Sequence, residues 1–151
     1  MDQQSSKIVP APAWHRVVLL SATLHCLIWG VLIMASPVLA AKVYGFARTP
    51  DDLHLWQGTG LFISLLGIGY FMAARDPAQH WGLVFIGLLA KVMGAGGMTY
   101  AVFDGQVSSR VLWLLPINDV IWWLPFWIIF RHGMQHSRYL RDVNSANAAG
   151  G

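Results

Sequence analysis

Three residues in this chain have side-chain types that do chemistry and positions that make them costly. Lys91 stands alone in the apolar stretch GLLAKVMG, and Asn118-Asp119 stand together in LLPINDVIWW. An ammonium beside a carboxylate can hold a proton, polarise a carbonyl or bind a polar group. In that setting Asp119 is the candidate general acid or base, and Lys91 the neighbour that tunes its proton affinity. Trp122 and Trp123 follow at four-residue spacing from Asn118 and Asp119, so each pair shares a helix face. Their indole N–H groups are potential donors to the carboxylate, and their rings can stabilise a cation. Gln57 is a further polar group in an apolar run. The candidate ligand-binding set is therefore Gln57, Lys91, Asn118, Asp119, Trp122 and Trp123, with Asp119 and Lys91 as the candidate catalytic pair.

Other constellations carry less. Cys26 is the single cysteine, so the chain has no disulfide framework or dithiol pair of its own. His25 lies beside it in an apolar run, where a lone histidine is more often hydrogen-bonded packing than a ligand. A haem held by two axial histidines would need a second one at matching depth, and within one chain there is none. His132 and His136 are four apart without a carboxylate at fitting distance, so no metal site is read from them. Neither standard glycine-rich phosphate loop occurs. The residues point to no particular cofactor.

The elements that must position these side chains follow from composition. Of 151 residues, 56% are apolar and 11% charged, against about 25% charged in ordinary soluble domains. There are seven acidic residues, all Asp. A helix crossing a bilayer needs about 20 mainly apolar residues, and four segments qualify: 17–41, 55–74, 81–103 and 111–130. The links between them are short, so the expected fold is all-α, a single-domain integral membrane four-helix up-down bundle. Segments 1–13 and 142–151 are expected to be disordered tails. A charge at the bilayer centre costs about 2.5–3.5 kcal/mol on insertion scales. Lys91 and Asp119 fall mid-span in consecutive antiparallel helices, so they are expected to face each other.

Local sequence refines this picture. Pro116 and Pro125 interrupt the backbone ladder of span four, next to Asn118 and Asp119. Gln57, Gly60, Ser64 and Gly67 form a stripe in span two. Gly87, Gly94, Gly96 and Gly97 surround Lys91. Such small residues let helices approach closely. Gln57, Lys91, Asn118 and Asp119 are expected to line one pocket, opening toward the side that holds 42–54 and 104–110. Trp56, Trp81 and Trp113 read as interfacial belt residues. The side with both termini carries Lys7, Arg16, Arg75, Arg131, Arg138 and Arg141, against Lys42, Arg48 and Arg110 opposite. The positive-inside rule then places both termini in the cytoplasm. Lipid headgroups account for the basic balance without a nucleic-acid partner. The end of the first span, SPVLAA, has the small residues of a signal-peptidase site, but its apolar run exceeds the 7–15 residues of a signal core. Cleavage there would leave three spans.

The motifs WQGTGLFISLLGIGYFMAARDP, QHWGLVFIGLLAKVMGAGG and NDVIWWLPF lie within 56–130, a stretch of about half the chain. They resemble a group of small bacterial four-helix membrane proteins. That group is marked by a Gln in span two, G-I-G-Y, D-P-x-x-H-W, G-L-L-x-K and N-D-x-I-W-W-x-P-F. The resemblance selects Gln57, Tyr70, Asp76, His80, Trp81, Lys91, Asn118, Asp119, Trp122, Trp123 and Pro125. Ala90 departs from the glycine expected before Lys91. The resemblance implies a bacterial inner (plasma) membrane location and brings no established activity with it. Some members carry an alkyl hydroperoxide reductase label. That chemistry needs an exposed, low-pKa thiolate, and Cys26 sits in an apolar span with no cation expected beside it. Small multidrug transporters rely on a buried Glu that this chain lacks.

Three functional readings remain. The first is an accessory protein holding an amphipathic molecule (a quinone, isoprenoid or lipid) in a tryptophan-lined cleft beside Lys91 and Asp119. The second is a membrane-embedded isomerase or cyclase with Asp119 as acid or base. The third is a structural subunit of a larger membrane complex, with Lys91–Asp119 as a lock between helices, or a transporter whose four spans enclose a path only as a homo-oligomer, a dimer.

Overall fold

The computed structural model describes residues 11–46 and 48–150, with side chains through 148. Lys7 and the first ten residues lie outside the described part. The chain is all-α, and among the described residues there is no strand. Helix α1 spans Ala13–Ala35 and stops at Ser36, which adopts φ −139°, ψ 63°. The cause is Pro37, which pushes the preceding residue out of the helical region and lacks an N–H. Pro37 then opens a short helix, α2 (Pro37–Val43), at a position where its missing donor costs nothing. The first apolar segment, expected to run unbroken over 17–41, is thus two helices.

Helix α3 (Leu53–Arg75) begins at Asp52, whose carboxylate accepts the Leu55 N–H at 2.9 Å. Helix α4 (Trp81–Phe103) follows a tight turn in which Asp76 Oδ1 accepts the Gln79 N–H at 3.0 Å. A 3-10 segment, Ser109–Trp113, and a π-helical turn, Pro116–Val120, lead into α5 (Ile121–Gly150). Residues 142–150, expected to be disordered, continue α5 as helix. Four segments are long and apolar enough to cross a membrane: α1, α3, α4 and the continuous stretch Ser109–Ala148.

Glycines set how closely the helices meet. A Cβ on Gly30 would collide with Ser64 Oγ and lie 2.6 Å from the Gly60 carbonyl. The α1 and α3 backbones therefore touch directly. Along α3, Gly60 meets Gly30 and Ile33 while Gly67 meets Thr23 and Cys26, so the two helices run antiparallel. Helix α4 runs antiparallel to α5: Lys91 meets 118–119, Phe85 stacks on Phe130 at 4.9 Å, and Trp81 Nε1 donates to Ser137 Oγ at 2.9 Å. Helices α3 and α4 meet where the Tyr70 ring fills the space that a side chain at Gly87 would occupy.

Two apolar clusters result. One joins Leu19, Ala22, Cys26, Tyr70, Val84, Phe126 and Ile129. The other, around α2, joins Ile33, Ala40, Tyr44, Val107 and Val111. Its loops are tied by a single bridge between Phe46 and Val107 and by the Ser108 N–H donating to the Gly45 carbonyl at 2.9 Å. Gly45 and Gly105 both sit at φ +75°, where a side chain would be strained.

Candidate functional site

Lys91 projects from α4 and Asp119 from the π turn. Their Nζ and Oδ1 atoms are 3.4 Å apart, and the side chains are only 10% and 8% exposed. The π turn exists because Pro116 cannot extend an α-helical ladder. The Ile117 and Asn118 N–H groups share the Leu114 carbonyl, at 3.1 and 2.8 Å. In this widened turn the Asn118 carbonyl accepts the Lys91 ammonium at 2.6 Å. The Asn118 side-chain amide donates to Asp119 Oδ2 at 2.9 Å. The ion pair is therefore also braced by hydrogen bonds, without which burying two charges is strongly unfavourable.

A fourth member comes from α1. With the Asn118 amide donating to Asp119, its Oδ1 faces His25 Nε2 at 3.0 Å and must accept. That fixes the His25 proton on Nε2. The result is one polar chain, His25–Asn118–Asp119–Lys91, across α1, the π turn and α4. A lone mid-helix histidine gave no sequence sign of this. Its partner is 93 residues away, and only the packing of α1 against the π turn joins them.

This chain borders a cavity of about 270 Å³. All four polar residues line it, and Trp29, Tyr44 and Trp56 form an aromatic wall. Trp29–Tyr44 and Tyr44–Trp56 ring centroids are 5.3 and 5.6 Å apart, both edge to face. The cavity runs from the ion pair toward the end that carries 42–54 and 104–110. Two other lining residues, Thr59 and Gly94, are exposed, so it reaches the surface between α3 and α4.

The structure brings together Lys91, Asn118 and Asp119 of the candidate set, and places the other three elsewhere. Gln57 does not line the cavity. Its amide donates to the Met34 carbonyl at 2.8 Å, an acceptor released where α1 breaks before Pro37. Trp56, read as a belt residue, donates its indole N–H to the Pro37 carbonyl at 3.0 Å and walls the cavity. Trp122 and Trp123 pack against the core outside the cavity, with the Trp122 ring 5.5 Å from that of His25. Neither indole N–H reaches the carboxylate, and both are buried without a partner. The Asp119 oxygens are already engaged by Lys91 and Asn118.

Cys26 is a buried free thiol on the cavity wall. His132 packs edge to face on His15 at 5.2 Å. Among the described residues no three His, Cys, Asp or Glu side chains are grouped to hold a metal. No protein-family model, curated protein or solved structure matches this chain.

Proposed function

We propose that the chain is an integral membrane protein, a four-helix up-down bundle, that holds a small amphipathic molecule in the cavity beside Lys91 and Asp119. The membrane reading is supported by the outward faces. Val17, Leu24, Ile28, Phe62, Met93, Phe103, Ile117 and Leu124 are all more than half exposed, a surface that suits lipid and not water. The antiparallel contacts of α1 with α3 and of α4 with α5 support the up-down order. The excess of Arg and Lys on the side of both termini supports a cytoplasmic location for them. The bacterial inner membrane, and membership of the small four-helix group, rest on the motif resemblance.

One observation carries the ligand reading: the Lys91–Asp119 pair lines a cavity and is not sealed by packing. An ion pair that served only to lock two helices would need no space beside it. A quinone, an isoprenoid or another lipid fits such a polar and aromatic site, and the protein would act as an accessory to its handling. Native mass spectrometry after gentle extraction tests this. A co-purifying small molecule, lost in Lys91→Met, is the expected result. Bare protein in both forms would overturn it.

A second reading has its own support. Both Asp119 oxygens are partnered within the protein, as a helix lock within a larger assembly would require. The double variant Lys91→Met, Asp119→Leu would then keep both assembly and function. The isomerase or cyclase reading would have Asp119, which lines the cavity, act as acid or base on a substrate held there.

A further inference from the structure

We infer that the cavity takes the ring of a neutral, carbonyl-bearing lipophile, a quinone-type head, whose apolar tail leaves between α3 and α4. This rests on the cavity being a ligand site, as proposed above, and specifies what enters it. Charge is the first argument. Lys91 and Asp119 cancel each other, so an anionic headgroup gains no net attraction there. The second is hydrogen-bonding capacity. Lys91 has three donors and gives one to the Asn118 carbonyl, while the ammonium is ion-paired with Asp119 at 3.4 Å. The Asn118 amide gives one of its two N–H groups to Asp119. Tyr44 lines the cavity, and among the described residues its hydroxyl has no hydrogen-bond partner. Lys91, Asn118 and Tyr44 thus keep donors free toward the cavity, and an occupant that presents acceptors would satisfy them.

Shape gives the third argument. The edge-to-face Trp29–Tyr44–Trp56 array is a wall for a flat ring. The cavity, at about 270 Å³, lies just below the range of about 300–1,000 Å³ usual for small-molecule pockets. That accommodates a substituted ring and excludes a diacyl lipid. A tail must therefore lie outside. Helices α3 and α4 touch at Tyr70–Gly87, while the exposed lining residues Thr59 and Gly94 mark a gap further along. A Cβ on Gly94 would have only Asp119 Oδ1 nearby, at 4.0 Å, so this opening lies directly over the ion pair.

The test uses the full chain in phosphatidylcholine nanodiscs and three compounds with the same tail: decyl-benzoquinone, decylbenzene and decyl phosphate. The readout is the ligand-dependent shift in unfolding midpoint, which gives each apparent affinity. Decyl-benzoquinone is expected to bind saturably and about tenfold more tightly than either analogue, the worth of one good hydrogen bond. Lys91→Met should weaken it about tenfold. Gly94→Leu, which fills the gap and leaves every polar group in place, should abolish it. Should decyl phosphate or decylbenzene bind as well as the quinone, the head assignment is overturned and the cavity remains a ligand site. Should none of the three shift the wild-type midpoint, both readings fall together.

Discussion

His25 and Asn118 stand 93 residues apart in the chain and meet at 3.0 Å, joining α1 to the π turn. Through Asn118 the histidine is linked to Asp119 and Lys91, so three separate segments share one polar cluster at the cavity wall. Each bond in the cluster constrains its neighbour, and single substitutions should therefore be unequal in effect.

Removing one partner of the ion pair leaves the other charge buried and unpaired. Lys91→Met is expected to destabilise the protein by about 3–5 kcal/mol. Lys91→Met combined with Asp119→Leu should recover most of that loss, since no charge is then stranded. Unfolding midpoints of the wild type, both single variants and the double variant in the same detergent measure this coupling directly.

Glycines on α4 differ sharply in what surrounds them. A Cβ at Gly87 would overlap the Tyr70 ring, whereas Gly96 has nothing within 4 Å. Gly87→Ala should cost about 1–3 kcal/mol through overpacking. Gly96→Ala should be neutral, or stabilising by up to about 1 kcal/mol from helix propensity. Equal effects of the two in thermal unfolding would contradict the close α3–α4 contact.

Gln57 has a structural bond that can be separated from ligand binding. Gln57→Leu leaves the Met34 carbonyl unpaired at the α1 break and should cost about 1–3 kcal/mol. Once corrected for stability, its apparent affinity for decyl-benzoquinone should match that of the wild type, since Gln57 does not line the cavity. A selective loss of affinity would place Gln57 in the site.

Tyr44 provides a pH-dependent test. Burial beneath the α2 cluster pushes its phenol well above the ordinary tyrosine value of 10. The folded state therefore keeps this proton while the unfolded state releases it. Stability from this group is complete below pH 10 and falls as pH rises above it. In Tyr44→Phe the decline in unfolding midpoint above pH 10 should be shallower.

Much of the architecture was legible from sequence. Apolar length located two of the long helices closely: α3 and α4 begin and end within two residues of the expected 55–74 and 81–103. The cost of isolated charge in an apolar run singled out Lys91 and Asp119, and those two do pair. Proline chemistry flagged the disturbed backbone at Pro116. The same reasoning applied to Pro37 would have split the first segment, since a proline and the residue before it follow the same backbone rules anywhere in a chain.

Other features are not written in local sequence. Gln57 was grouped with the pocket because polarity in an apolar run shows only that a partner is needed, not which one. The partner proved to be a carbonyl freed by a break in another helix. Trp122 and Trp123 shared a face with the carboxylate by spacing, but Lys91 and Asn118 had already taken its oxygens. His25 and the aromatic wall depended on which helices lie side by side. Composition and periodicity determined an all-α chain with four long apolar helices and a paired charge among them. Tertiary packing decided that this pair borders an open space, because cavities arise from the fit between segments distant in sequence, here the separation of α3 and α4 above Tyr70 and Gly87.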